Sequence, residues 1–179
     1  MSYSWSKTRK ILEEEMLCDS LKGRVQYFLT QYHGAHDHHG RFCIRVDGKE
    51  YVHANPFNER YSFEEERKIK KELNIPRREW TGREFLYDKE NRIIEDQVSA
   101  HMIHENKMEI YHVTTAIEEY LNSDIQTSLA SPNEMVRLLA VLDRRVGKRT
   151  LERLKNEVDN QPEWLKKFYL LRLEAEGIM

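Results

Sequence analysis

The fold is predicted most sharply by one short stretch, Phe42-Cys43-Ile44-Arg45-Val46-Asp47-Gly48. Its apolar residues alternate with Cys43 and Arg45, as in a strand that is buried on one face. The pair Asp47-Gly48 follows, and it readily takes positive φ at both positions of a two-residue hairpin turn. The stretch therefore predicts an antiparallel hairpin whose returning strand covers residues 49–54.

Working outward toward the N terminus, residues 24–29 are rich in aromatic and β-branched types, and they predict one more strand. The three strands form an antiparallel meander, and residues 32–40 are the loop between the first two. Before the meander, residues 4–17 predict a helix with one apolar stripe. The stripe consists of Trp5, Thr8, Leu12 and Met16.

Toward the C terminus, a highly charged helix is expected from Ser62 to about Leu73, and helical spacing resumes after Arg92. The clearest local signal there is Ser131-Pro132-Asn133-Glu134. It predicts a helix start that is capped by the serine, with the glutamate completing a capping box. The helix that follows, over residues 135–142, is apolar nearly all round, so we expect it at the buried centre of a helical cluster.

These patterns predict an α+β fold. It consists of an N-terminal helix and a three-stranded antiparallel β-meander, followed by an all-helical C-terminal bundle of four or five helices. Residues 1–75 form the helix and meander subdomain, residues 76–91 form a connecting segment, and residues 92–179 form the helical subdomain. At 179 residues, we expect the two parts to pack as one compact unit.

The composition excludes several classes of protein. The chain is 39% apolar and 34% charged, which is too apolar for a disordered protein, and its net charge of −2 gives no global attraction to nucleic acid or anionic lipid. No run approaches the ~18 apolar residues of a membrane span. Cys18 and Cys43 are too few for a disulfide framework. We therefore expect a cytoplasmic protein with reduced cysteines and no membrane contact.

The densest cluster of potential metal ligands lies in the loop between the first two strands. It contains His33, His36, Asp37, His38 and His39. A catalytic zinc needs about three protein ligands, but alternate residues of an extended loop point in opposite directions. His36 and His38 would share one side, and a third ligand would have to come from His33, His53, His101 or His104. We therefore interpret the loop as a polar or pH-sensitive segment, and we expect neither a metal nor a cofactor.

A second candidate site is the basic segment that follows Asp143. Its cations are Arg144, Arg145, Lys148 and Arg149. With the free amides of a helix start, they could hold a phosphate or an acidic partner. Pairing of these cations with Asp143 and Glu152 is the competing interpretation, and it gives the segment a structural role. Because base-reading motifs and interleaved aromatic residues are absent, nucleic-acid binding is only an alternative here.

Four segments resemble those of a family of uncharacterised bacterial proteins. They are Trp5-Ser6-Lys7, Ser20-Leu21-Lys22-Gly23-Arg24-Val25-Gln26-Tyr27, Asp47-Gly48-Lys49-Glu50 and Leu142-Asp143-Arg144-Arg145-Val146-Gly147-Lys148-Arg149-Thr150-Leu151. The resemblance implies a bacterial cytoplasmic origin and a β section followed by helices. It implies no activity.

The chain contains no Gly-rich phosphate loop, nucleophile elbow or Cys-His pair. The leading hypothesis is therefore a small interaction or regulatory protein without catalytic activity, which binds a protein partner through its charged surface and aromatic-rich β section. The first alternative is a metal-dependent hydrolase of phosphoester-like substrates that uses the histidine loop. The second is a nucleic-acid-binding module that uses the arginine segment.

Overall fold

A computed structural model describes residues 4–31, 40–55, 59–76 and 89–179. The chain begins with helix α1 (Trp5–Lys10), a π-helical continuation (Ile11–Met16) and a 3-10 turn (Asp19–Leu21). The strands are β1 (Val25–Gln31), β2 (Gly40–Val46) and β3 (Lys49–Ala54). The later helices are α2 (Glu59–Glu72), α3 (Lys89–His104), α4 (Ile110–Leu121), α5 (Ile125–Leu129), α6 (Glu134–Val141), α7 (Lys148–Lys155) and α8 (Glu163–Ala175). A second 3-10 turn lies at Val158–Asn160. The predicted α+β fold is confirmed.

The sheet is an antiparallel meander in the order β1-β2-β3. Its hairpin turn is formed as predicted, since Asp47 (φ 49°) and Gly48 (φ 81°) both have positive φ. The register shifts within this hairpin, because Ile44 pairs with Val52 whereas Arg45 pairs with Glu50. Tyr51 is therefore the extra residue of a bulge, which bends β3 and redirects that side chain.

The N-terminal helix packs against β1, and its predicted stripe faces the core. Thr8 and Leu12 are buried, and the Trp5 ring meets Phe42 edge-on with a centroid distance of 6.0 Å. The second half of the helix is π-helical, which the sequence pattern did not predict. Glu13, in this wider segment, accepts the backbone N–H of Tyr27 at 2.7 Å. The N-terminal helix thereby covers part of the free edge of β1.

Helix α6 is the buried centre of the helical part, as predicted: six of its eight residues are buried. The predicted cap is wrong by two residues. The side chain of Asn133 accepts the N–H of Met135 at 3.0 Å, and the helix begins at Glu134. Ser131 caps no residue of the helix itself. Its hydroxyl accepts the N–H of Asn133, which precedes the helix, and donates to the carboxylate of Glu119 at 2.8 Å.

One large core joins the two parts of the chain, because it takes residues from the N-terminal helix, the sheet and the C-terminal helices on both sides of residues 76–91. A second, small core of Ile69, Val98 and Met102 lies between α2 and α3. Six α-helices follow residue 88 in the described chain, instead of the four or five expected, and the additional one is the five-residue α5. Cys18 and Cys43 are both buried and free.

Candidate functional site

The predicted histidine site cannot be placed, because His33, His36, Asp37, His38 and His39 all lie outside the described residues. The histidines proposed as further ligands are His53, which is exposed on β3, and His101 and His104 on α3. Nowhere among residues 4–31, 40–55, 59–76 and 89–179 do three His, Cys, Asp or Glu side chains form a group that could hold a metal ion. The His104 ring instead meets the Glu134 carboxylate, with Nδ1 2.8 Å from Oε1.

The second predicted site lies in the elbow between α6 and α7, which we define as residues 142–147. The elbow is fixed to the segment that follows the N-terminal helix by two backbone hydrogen bonds. The N–H of Cys18 donates to the carbonyl of Leu142 at 3.0 Å, and the N–H of Arg144 donates to the carbonyl of Met16 at 2.7 Å. The elbow is therefore a rigid corner and not a free loop.

Asp143 is the centre of the elbow and is only 1% exposed. Its carboxylate accepts the hydroxyl of Tyr120 at 2.5 Å, the backbone N–H of Arg145 at 2.7 Å and the guanidinium of Arg145 at 2.6 Å. Burial, together with the charge of Asp143, raises the pKa of Tyr120. The hydrogen bonds to Asp143 raise the pKa of Arg145. The Asp143 carboxylate, the Tyr120 hydroxyl and the Arg145 guanidinium are hydrogen-bonded to one another, so we assign this network a structural role.

The other three predicted cations remain on the surface. Arg144, Lys148 and Arg149 are exposed, and among the described residues Arg144 interacts electrostatically with Asp19 and Lys148 with Glu176. They surround the start of α7, where Gly147 supplies no side-chain cap and the first turn contains no acidic residue. The structure thus distinguishes Arg145, whose guanidinium is held by Asp143 although its side chain is 40% exposed, from the other three exposed cations.

Helix α8 is tied to the elbow by Arg172, a residue that sequence reasoning missed. Its side chain is 2% exposed, and its guanidinium donates to the carbonyl of Val146 at 3.1 Å and also to Glu176. Ser20 donates to the same carboxylate at 2.8 Å. Burial of Glu176 opposes ionisation, but the hydrogen bonds from Ser20 and Arg172 lower its pKa overall. The sequence could have indicated this, because Arg172 lies two helical turns after Leu165 and therefore on the same, inward side of α8.

The outward side of α8 forms one wall of a groove of about 440 Å³. The opposite wall comes from the ends of β2 and β3. The groove is lined by Val46, Tyr51, Lys167, Phe168, Leu170, Leu171 and Glu174. The ring of Tyr51, which the bulge redirects, meets Phe168 edge-on with a centroid distance of 6.3 Å. The ammonium of Lys167 lies 5.7 Å from the centre of the Tyr51 ring.

The groove was not predicted from the sequence. On α8, Lys167, Leu170, Leu171 and Glu174 recur at i, i+3, i+4 and i+7, on a different side of the helix from the residues that face the core. That spacing is the pattern of a face that packs against something. Leu170 and Leu171 are only partly buried by the rest of the chain. The helix therefore has two apolar sides, of which one faces the core and the other faces the groove.

The arginines on the outer face of the sheet are bound by neighbouring side chains and are not free to bind a ligand. Phe28 lies between two guanidinium groups, those of Arg9 at 4.8 Å and Arg45 at 4.5 Å from the ring centre. Arg41 and Arg45 both donate to the carboxylate of Glu50. Most charges of this face are thus matched by their own neighbours. Of the aromatic residues in the described strands, Tyr27 and Phe42 are buried, and Phe28 and Tyr51 reach the surface.

No helix in the described parts of the chain has the length and apolar character needed to cross a membrane. No curated protein and no solved structure matches the chain. The model of the SF0329 protein family matches residues 4–173, which include the elbow, the sheet and nearly all of α8. The chain therefore belongs to the SF0329 protein family.

Proposed function

We propose that this protein is a small cytoplasmic interaction protein without catalytic activity, and that it binds a protein partner in the groove between α8 and the end of the sheet. The observation that carries the proposal is the groove itself. It combines about 440 Å³ of open space with the half-exposed Leu170 and Leu171 and with a tyrosine at its base. Protein interfaces share this composition, with apolar and aromatic side chains at the centre and charged residues at the rim.

The arrangement of titratable groups also supports a binding role. An active site needs an acid, base or nucleophile that a substrate can reach, with its pKa matched to its task. Tyr120, which contacts the elbow from α4 and whose pKa is raised, donates a hydrogen bond to a buried carboxylate and is itself 1% exposed. The ionisable groups that line the groove are Tyr51, Lys167 and Glu174, and the last two occupy positions seven residues apart on α8.

A capture experiment with a matched control tests the proposal. The full chain, its Leu171→Glu variant and its Ile93→Glu variant are immobilised and exposed to lysate of the source cells. Leu171→Glu places a charge in the groove, whereas Ile93→Glu places the same charge on α3, where Ile93 is 49% exposed. Retained proteins are identified by mass spectrometry, with free copies of the chain itself included. Thermal unfolding of all three proteins verifies that they fold.

We expect a partner that the wild type and Ile93→Glu retain equally and that Leu171→Glu loses. A partner that all three proteins retain equally would place the binding surface elsewhere, and the proposal would be wrong. Retention of nothing above background by the wild type would also contradict it.

Anion or nucleic-acid binding at the elbow is a second candidate, and the exposure of Arg144, Lys148 and Arg149 favours it. The double variant Arg144→Ala/Arg149→Ala tests it, because neither side chain supports the elbow as Arg145 does. Arg153→Ala/Lys155→Ala removes two cations from the other end of α7 and is the control. A mobility shift of nucleic acid that weakens steeply with salt, and that only the first variant loses, would establish this function. The hydrolase alternative requires the histidine loop, and no observation on the described residues favours it.

A further inference from the structure

We infer that the occupant of the groove is a second copy of this chain, and that two copies pack through antiparallel α8 helices about a two-fold axis between Leu170 and Leu171. The inference rests on the proposed function, because it takes the groove to be a docking site. It adds the identity of the partner.

The side chains along the outward side of α8 are ordered so that a second copy of the same helix can pair with them. A cation, two leucines and an anion follow one another as Lys167, Leu170, Leu171 and Glu174. With a rise of 1.5 Å per residue, the two charges lie about 10 Å apart along the helix axis and face nearly the same way. A face with an apolar centre and opposite charges at its two ends suits a helix that lies along it with its own charges reversed.

The second argument is symmetry. In a two-fold contact, residue i of one copy meets residue j of the other, and residue j of the first meets residue i of the second. The midpoint between positions 167 and 174 falls between Leu170 and Leu171. A copy rotated about that point places the partner's Glu174 opposite Lys167 and the partner's Lys167 opposite Glu174. It also brings the two pairs of leucines together at the centre.

The third argument concerns the neighbouring charges, which leave this pattern intact. At one end of the groove, Arg24 interacts electrostatically with Glu174, but its charge is offset by Asp47, which holds it with Nη2 2.8 Å from Oδ2. On the other side of α8, Lys166 is held by Asp159 at 2.5 Å. The whole chain has a net charge of only −2, so repulsion between two copies is weak.

Sedimentation velocity over a range of protein concentrations tests the inference through charge exchange. We expect the wild type to sediment faster as its concentration rises. Lys167→Glu alone, and Glu174→Lys alone, each replace both attractive pairs by like-charge pairs, so each should associate at least about tenfold more weakly. An equimolar mixture of the two variants restores both attractive pairs, and so does the double variant Lys167→Glu/Glu174→Lys. Both samples should therefore associate as the wild type does.

The controls are Arg153→Glu and Glu152→Lys, which make the same changes in net charge at exposed positions of α7 and should leave association unchanged. A wild type that stays monomeric at every concentration would overturn the inference. So would a mixture that associates no better than its two components. Neither result would overturn the proposed function if Leu171→Glu still lost a different partner in the capture experiment, and loss of that partner therefore separates the two failures.

Discussion

The elbow and the groove are both anchored by α8, yet they use their charges in opposite ways. In the elbow, a carboxylate that is 1% exposed binds Tyr120 and Arg145, so Asp143 and one of the four neighbouring cations are used for bonding within the fold. In the groove, Lys167 and Glu174 flank two half-buried leucines. The comparison shows that charge density alone does not mark a binding surface. What marks the groove is that Leu170 and Leu171, between its two charges, are only partly buried by the rest of the chain.

The largest expected effect is on the elbow. Asp143→Ala leaves the buried hydroxyl of Tyr120 and the N–H groups of Arg145 without their common acceptor, and the lost hydrogen bonds together cost about 3 kcal/mol, less than for a fully buried ion pair because the Arg145 side chain is 40% exposed. We expect a loss of this size in the free energy of unfolding, measured by urea denaturation. Asp159→Ala is the control, because it removes an exposed carboxylate whose pair with Lys166 contributes at most about 1 kcal/mol. Equal losses from the two variants would contradict the structural role of the elbow.

His112 is buried like Asp143, but one of its two ring nitrogens has no hydrogen-bond partner among the described residues. Its Nδ1 accepts the N–H of Glu109 at 2.9 Å, whereas its buried Nε2 has no hydrogen-bond partner among the described residues. Burial lowers the pKa of His112 from 6.5 to about 4. Between these two pKa values the unfolded chain binds the proton and the folded chain does not, so stability is lost as the pH falls below 6.5.

We expect His112 to account for a loss of about 2 kcal/mol in the free energy of unfolding between pH 7 and pH 5. The variant His112→Asn removes the titrating group and retains an acceptor for the N–H of Glu109. Its free energy of unfolding should therefore fall by about 2 kcal/mol less than that of the wild type over the same pH range. Parallel pH profiles for the two proteins would show that His112 is not the group responsible.

A smaller effect is expected from Tyr120→Phe, which removes one of the hydrogen bonds to Asp143 and leaves those from Arg145 in place. We expect a loss of roughly 1.5 kcal/mol in the free energy of unfolding. Tyr111→Phe removes a hydroxyl from a side chain that is 51% exposed, and it should change stability by less than about 0.5 kcal/mol. Similar losses in the two variants would mean that the Tyr120 hydroxyl contributes no more than a surface group.

The smallest effect on stability is expected in the groove. Lys167→Glu and Glu174→Lys alter exposed positions of α8, so each should change the free energy of unfolding by about 0.5 kcal/mol or less. Each should nevertheless weaken association. A groove variant that lost several kcal/mol of stability would contradict the division between a structural elbow and a binding groove.

Local patterns in the sequence predicted much of the fold. The Asp47-Gly48 turn and the apolar run of α6 depend on neighbouring residues, and both are formed as predicted. The alternation in β2 holds for Phe42, Ile44, Arg45 and Val46, but Cys43 is buried as well. The cap of α6 was placed wrongly because Ser131 binds Glu119, a residue of another helix. Sequence spacing does not show such competition between partners.

The candidate site was predicted only in part, for the same reason. Pairing of Asp143 with a nearby cation was considered from the sequence, and the structure identifies Arg145 as the partner. The groove depends on where Tyr51 points, and that direction follows from a one-residue bulge in β3 that no local pattern indicated. Arg172 was overlooked because an arginine within an apolar stripe becomes interpretable only with its acceptors in place.

The most direct test of the account is a dilution series of two-dimensional amide NMR spectra of the full wild-type chain. We expect concentration-dependent shifts at residues 167–174 and at Tyr51, where the groove brings two copies together. No such shifts are expected at residues 142–147, which do not line the groove. Shifts confined to the elbow, or spectra that do not change between the lowest and the highest concentration, would contradict it.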